Sequence, residues 1–237
     1  LNKDFKKMNK AAETCSSESI VHKQNKTCKT AVLVSGGGTN LQALIDYEKT
    51  HADCPFRIEA VFSDTKKAYA LERARKAGIR TEIVSPYAIL GTQGVAQASK
   101  DEKRKAVSKR ILALCKERGI EFIVLAGFLT VLSGELIGEY DGRMINLHPA
   151  LLPDFGGEGM WGHHVHEAVL ASGKNESGCT VHFVNSGCDT GKIILQKKIP
   201  VLPGDTPDSL AARLAGEEHK AIVEAAYTVA CMIANRI

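Results

Sequence analysis

Apolar residues alternate along this chain between short unbroken runs and stripes at helical spacing, from residue 30 almost to the end. Thr30–Ser35 is an apolar run of the kind shown by a strand covered on both faces. Gly36-Gly37-Gly38-Thr39-Asn40 follows, and Leu41, Leu44 and Ile45 then open a helical stripe. Arg57–Ser63 reads as a second strand, Tyr69–Ala77 as a helix closed by Gly78, and Thr81–Val84 as a short third strand. Residues 85–99, with Pro86, Gly91 and Gly94, are expected as a loop. Lys100–Arg118 is a charged amphipathic helix with Val107, Ile111, Leu112 and Leu114 on its apolar side, ended by Gly119. A buried strand at Glu121–Ala126, a short helix near Gly134–Glu139 and a strand entered at Arg143–Asn146 come next. An irregular glycine-rich stretch, Asp154–Gly162, leads to a helix at Val165–Ala171. Gly178–Val184 and Lys192–Pro200 flank a tight turn and read as a hairpin, and Pro207–Ile233 is one long or broken helix. Strands alternating with helices over short connections predict an α/β fold. Its sheet should be doubly wound and mostly parallel, with an antiparallel hairpin near the C-terminal part.

Composition adds limits rather than detail. The 237 residues suffice for one large domain, and no repeat or low-complexity linker divides it, so residues 30–237 are expected as a single domain. Residues 1–29 carry seven Lys and three acids, a net of +4, which is the net charge of the whole chain. The remainder is balanced, which argues against nucleic acid as a partner. No apolar run is long enough to span a membrane. The 1–29 segment lacks an apolar core and any Arg, so a polar disordered tail is expected rather than a leader, with Met8 an alternative start. Seven cysteines without a C-x-x-C pair fit reduced thiols in the cytoplasm.

Candidate chemistry gathers at Met144-Ile145-Asn146-Leu147-His148-Pro149. Side chains alternate along a strand, so Asn146 and His148 project to one side, about 7 Å apart. A neutral amide and a titratable imidazole at a strand's C-terminal end stand where open α/β sheets place ligands. The alternative is a strand that merely ends on two hydrogen-bonded polar residues. Gly36–Asn40, between strand and helix, could point backbone N–H groups at a phosphate, although it lacks the Walker lysine and the G-x-G-x-x-G spacing. A tight turn is its simpler reading, which three consecutive glycines exceed. His163, His164 and His166 suggest a metal, but the i, i+4 pairing and glutamate of a zincin are missing, and Cys179-x-x-His182 lacks a second half. No metal is expected. Asp189, in the turn Asn185–Gly191, would ordinarily be a turn former.

Taken together, these segments resemble the glycinamide ribonucleotide formyltransferase family, the folate-dependent enzymes of purine synthesis. The matching pieces, in order, are Val34–Gln42, Leu125–Phe128, Ile145–Pro153, Gly178–Val184, Asp189–Gly191 and Glu218-His219, within roughly residues 30–230. The resemblance implies a formyltransferase fold and transfer of a formyl group from 10-formyltetrahydrofolate to the amine of glycinamide ribonucleotide. The folate would be a co-substrate, with no tightly bound cofactor. His148, protonated, would stabilise the oxyanion and manage protons, with Asn146 donating to the same oxygen. Asp189 would raise the His148 pKa and order a water for proton relay. The ribonucleotide phosphate would lie on Gly38, Thr39 and Asn40, flanked by Leu41 and Gln42, and Glu218 would hold the ribose hydroxyls. A β-branched residue at Gly38 should then weaken ribonucleotide binding and spare folate. The pterin would lie between Leu129, Thr130, Val131 and Leu132 on one side and Asn185, Ser186, Gly187 and Cys188 on the other, with Asn146 also in contact. Arg104 would face the folate glutamate tail, or else belong to a solvated charge run, Lys103-Arg104-Lys105. Thr180 and His182 would support the catalytic water and strand.

The chain departs from the family pattern at Asp154–Gly162, which is longer than usual, at Thr130, where an arginine is familiar, and at its two ends. Rival readings keep the same Asn, His and Asp. A methionyl-tRNA formyltransferase is expected to need a further nucleic-acid-binding domain, and a formyltetrahydrofolate hydrolase a domain before residue 30. A sugar-nucleotide formyltransferase fits a monophosphate loop less well. A non-catalytic folate or nucleotide sensor would have no use for the trio. The expected partners are the two small-molecule substrates, with the chain a monomer or homodimer.

Overall fold

A computed structural model describes residues 27–235. Seven strands form one sheet: β1 (Cys28–Val34), β2 (Phe56–Ser63), β3 (Arg80–Ile83), β4 (Phe122–Leu125), β5 (Met144–His148), β6 (Glu176–Phe183) and β7 (Ile193–Pro200). Their spatial order is β3-β2-β1-β4-β5-β6-β7. Pairings from β3 across to β5 are parallel, whereas β5–β6 and β6–β7 are antiparallel. The expected doubly wound sheet with its antiparallel hairpin is therefore present. Seven helices accompany it among the described residues: α1 (Thr39–Thr50), α2 (Tyr69–Lys76), α3 (Pro86–Gln97), α4 (Lys100–Arg118), α5 (Glu135–Glu139), α6 (His163–Ala171) and α7 (Pro207–Ala234).

The period-two rule splits the core into two layers. Val32, Val34, Phe122, Val124, Ile145 and Leu147 face one side, against Leu41 and Leu44 of α1, Leu71 of α2 and the Leu210–Ile233 stripe of α7. Ala31, Leu33, Phe62, Ile123 and Leu125 face the other, against Val107, Ile111 and Leu114 of α4 and Leu136 of α5. Both faces of the inner strands are thereby removed from water, which is why those segments read as unbroken apolar runs. Helix ends follow local chemistry. Ser99 and Glu102 form a capping box at the start of α4, and Gly119 closes it in the left-handed region at φ 63°. Thr206 and Ser209 cap α7, with Pro207 in the first turn, and the helix runs unbroken for 28 residues.

Residues 85–99 differ from expectation. They form α3, in which Ser85 accepts a hydrogen bond from the Ala88 N–H and Pro86 occupies the first turn. Gly91, at φ 68° and ψ 175°, divides it into two short helical pieces. Only Val95 is buried, so no apolar stripe marks the helix, and the glycines masked a sound Ser-Pro start signal. At the N-terminal side β1 begins at Cys28, inside the expected tail, and residues 1–26 lie outside the described residues. No helix of the described residues is long and apolar enough to cross a membrane.

Candidate active site

The chain leaves β1 towards β2 and β3, then returns to the other side of β1 as β4. The loops after β1 and β4 part at that switch point, leaving a crevice at the strands' C-terminal ends. Ser35 ties the two loops together: its N–H donates to the Gly127 carbonyl at 2.9 Å and its Oγ accepts from the Leu129 N–H at 2.9 Å. A cavity of about 680 Å³ opens beside them, with Asn146, His148 and Asp189 in its wall.

Asn146 and His148 lie two residues apart on β5, opposite His182 and Thr180 of β6. Cross-strand neighbours share a face, so all four side chains start from one side of the sheet. Asp189 arrives from the β6–β7 turn at φ 56°, a left-handed conformation that short polar side chains tolerate. Asn146 Nδ2 lies 3.4 Å from Asp189 Oδ1 and 3.2 Å from His182 Nε2. His182 Nδ1 donates to the Phe183 carbonyl at 2.9 Å, and its Nε2 also faces Asp189 Oδ1 at 3.5 Å. His148 Nδ1 faces Asp189 Oδ2 at 3.5 Å, and its Nε2 donates to the Phe155 carbonyl at 2.8 Å. The second Asp189 oxygen also accepts from the Gly157 N–H at 3.0 Å.

His148 is only 3% exposed, and this burial pushes its pKa below the ordinary 6.5. Asp189 and the Phe155 carbonyl pull upward without overcoming it, and His182 adds to the depression. The Asp189 carboxylate acts upward, as its charge requires, and burial outweighs it. A lone carboxylate beside a partly solvated imidazole would dominate, whereas here the desolvation cost of the charged ring is larger. For Asp189 itself burial works upward, yet the His182 hydrogen bond, the His148 charge and the Gly157 N–H hold the carboxyl below its usual range.

Thr180 is fully buried and does not reach the cavity. Its hydroxyl donates to the Ala150 carbonyl at 2.6 Å and accepts from the Leu152 N–H at 3.0 Å, bracing the chain just after His148. Gln196 of β7 completes that brace through Thr180 and the Leu152 carbonyl, each at 2.9 Å.

The glycine loop turns at Gly38, left-handed at φ 75° and the N-cap of α1, where no side chain caps the first-turn N–H groups. A Cβ on Gly38 would stand 2.5 Å from Ala70 Cβ, so this glycine is demanded by packing as well as by φ. Asn40 lines the cavity and donates from Nδ2 to Glu218 Oε2 at 3.2 Å, while its buried Oδ1 has no partner among the described residues. Burial raises the Glu218 pKa, and the Asn40 bond only moderates it. Leu41 points into the core, and Gln42 is engaged by Asp46 and Arg73 outside the cavity. Arg73 also donates to the Gly37 carbonyl at 2.8 Å, clasping the loop.

Leu129, Thr130, Val131 and Leu132 line one wall of the cavity, and Gly187 and Cys188 another. Thr130 Oγ1 donates to Asp64 at 2.8 Å. Asn185 and Ser186 are exposed and outside the lining, and Asn185 Oδ1 accepts from the Gly187 N–H and Thr190 Oγ1 to shape the turn. Arg104 lines the cavity, joined there by Lys100, which sequence reasoning missed. The two are one helical turn apart, a spacing that could have signalled a shared face. The three adjacent histidines diverge: His163 pairs with Asp208, His164 with Glu167, and His166 is buried in the cavity wall with Nδ1 unpartnered. No group of three or more metal-binding side chains converges among the described residues.

This chain matches the family described as formyl transferase over residues 28–226. It is 39% identical over 188 residues to phosphoribosylglycinamide formyltransferase of Escherichia coli K12, covering 79% of this chain and 80% of that protein. It is also 39% identical over 211 residues to the trifunctional purine biosynthetic protein adenosine-3 of Drosophila pseudoobscura, covering 88% of this chain but only 14% of that much longer protein. Among solved structures, glycinamide ribonucleotide transformylase 1 from Symbiobacterium toebii superposes with a TM-score of 0.77 at 34% identity, covering 92% of this chain and 94% of that one.

Proposed function

The chain belongs to the formyl transferase family, and on that premise we propose that it moves the formyl group of 10-formyltetrahydrofolate to the primary amine of glycinamide ribonucleotide. The observation that carries this reading is the convergence of Asn146, His148 and Asp189 in one cavity wall. The amine nitrogen attacks the formyl carbon, the carbonyl electrons move onto oxygen, and collapse expels the folate nitrogen as a proton passes to it from the amine. Two donors meet the oxyanion: Asn146 Nδ2 and His148 Nε2–H, which now serves the Phe155 carbonyl. Each such donor contributes about 2.7–4 kcal/mol. His148 donates to the oxyanion from Nε2, and the amine proton travels to the folate nitrogen through a water held at the Asp189 carboxylate.

The uncapped start of α1 suits the substrate phosphate, bound by backbone N–H groups of Thr39, Asn40 and Leu41. The unpartnered Asn40 Oδ1 and the Glu218 carboxyl offer acceptors for ribose hydroxyls. The pterin lies against the Leu129–Leu132 wall and Gly187-Cys188. The folate acts as a co-substrate, nucleic acid and membrane are not partners, and the enzyme is a cytoplasmic monomer or homodimer.

The test is a spectrophotometric assay with 10-formyl folate and glycinamide ribonucleotide, with water as the only acceptor in the control. Deformylation that requires the ribonucleotide is the expected result. Formyl loss to water alone would make the protein a hydrolase, and folate binding without turnover would make it a sensor.

A further inference from the structure

Residues 154–162 cross the cavity mouth between β5 and α6 and are tied down where the proposed chemistry occurs. The Phe155 carbonyl takes the His148 Nε2–H at 2.8 Å, and the Gly157 N–H donates to Asp189 at 3.0 Å. Glu158 Oε1 accepts from Lys100 Nζ at 2.5 Å and from Arg104. Phe155, Gly157, Gly159 and Gly162 all have positive φ, between 55° and 100°, and a bulky residue such as Phe155 takes that conformation only when its surroundings impose it.

Lys100 and Arg104 stand one turn apart on α4 and both line the cavity. The Arg104 side chain is 20% exposed, and its one other ionic partner among the described residues, Asp101, is 3.9 Å away. Such a pair is built to hold a carboxylate at the cavity rim, and the chain's own Glu158 holds that position.

We propose that Glu158 is an internal competitor for an anion subsite formed by Lys100 and Arg104, so that a donor with a carboxylate tail is bound only by displacing it. Displacement also withdraws the loop, freeing His148 Nε2 from the Phe155 carbonyl. Glu158 thus sets how strongly the enzyme distinguishes donors with a tail from donors without one. The inference rests on the proposed reaction, because the folate is what brings the tail. Acid does not open this latch at working pH: the hydrogen bonds from Lys100 and Arg104 hold the Glu158 carboxyl down at about 2.

The experiment compares the whole chain with Glu158→Gln, Arg104→Met and the double variant. The donors are 10-formyltetrahydrofolate and its pteroic acid amide analogue, in which a neutral carboxamide replaces the glutamate. Glu158→Gln is expected to lower KM for the tailed donor about two- to five-fold, the range of a part-exposed ion pair, with KM for the tail-less donor unmoved. In the Arg104→Met background the same change should have a smaller effect, because Lys100 alone then remains to bind either carboxylate. Emission from Trp161, the single tryptophan and a loop residue, should shift in Glu158→Gln. An unchanged or raised KM for the tailed donor, or an equal fall for both donors, would overturn the inference. Wild-type turnover judges the reaction itself, while the ratio of variant to wild type judges the latch.

Discussion

His148 sits between two acceptors, the Phe155 carbonyl and the Asp189 carboxylate, in a position almost closed to water. Acceptors favour the imidazolium and burial favours the neutral ring; here burial wins. Asp189→Asn keeps an oxygen for the Gly157 N–H but removes the charge. The His148 pKa should then fall further, since its largest upward influence is gone. With the proton acceptor also lost, kcat should drop about 100-fold or more while KM for the folate moves little. Steady-state kinetics and an NMR titration of the imidazole would check both. Retention of most of the rate would remove Asp189 from the proton path. Strand periodicity alone put Asn146 and His148 on one side, but the partners of His148 depend on the turn at 189 and the loop at 155. No local pattern encodes either approach.

At the scale of elements, the glycine loop shows where a motif and a packing constraint coincide. The Gly38 backbone is left-handed and its missing Cβ would overlap Ala70 at the start of α2. A β-branched residue there cannot separate ribonucleotide binding from folate binding, because it must first displace α2. Gly38→Val should cost about 1–3 kcal/mol or more. At about 2–4 °C per kcal/mol for a domain of this size, thermal melting would detect that loss. Gly36, where a Cβ would meet nothing, should accept Ala with little change in melting temperature. Equal melting of Gly38→Val and wild type would refute the packing argument. Elements with strong apolar runs or clear caps, such as β1, β4 and α4, were legible from the chain. Helix α3 was not, since burial of Val95 alone supplies no stripe and Gly91 breaks the period. Lys100 and Glu158 were illegible for another reason: they lie 58 residues apart, and only the closed loop brings them together.

Across the whole molecule, burial displaces several titrations in the same sense. His148 at the end of β5, His166 on α6 and His219 on α7 all have pKa values lowered chiefly by desolvation. Each folded-state value lies below the unfolded value of 6.5, so on acidification the unfolded chain takes up protons that the fold resists. Their contribution to stability is present above 6.5 and is lost as pH falls through the folded values. Glu48 and Glu218, raised by burial from 4.5, act in the opposite sense, stabilising below that value and losing the effect as pH rises through their folded values. Between about pH 7.5 and about pH 6 the histidines should dominate, so the melting temperature should fall across that interval. His166, whose buried Nδ1 has no partner among the described residues, is the cleanest of the three to remove. His166→Leu should flatten the slope and gain most at the acid end, because an apolar side chain there leaves no unsatisfied nitrogen and no proton to exclude. Melting curves of wild type and variant at both pH values test this directly. A wild-type midpoint independent of pH, or a variant with the same slope, would mean that these imidazoles take up protons in the folded state as freely as in the unfolded chain.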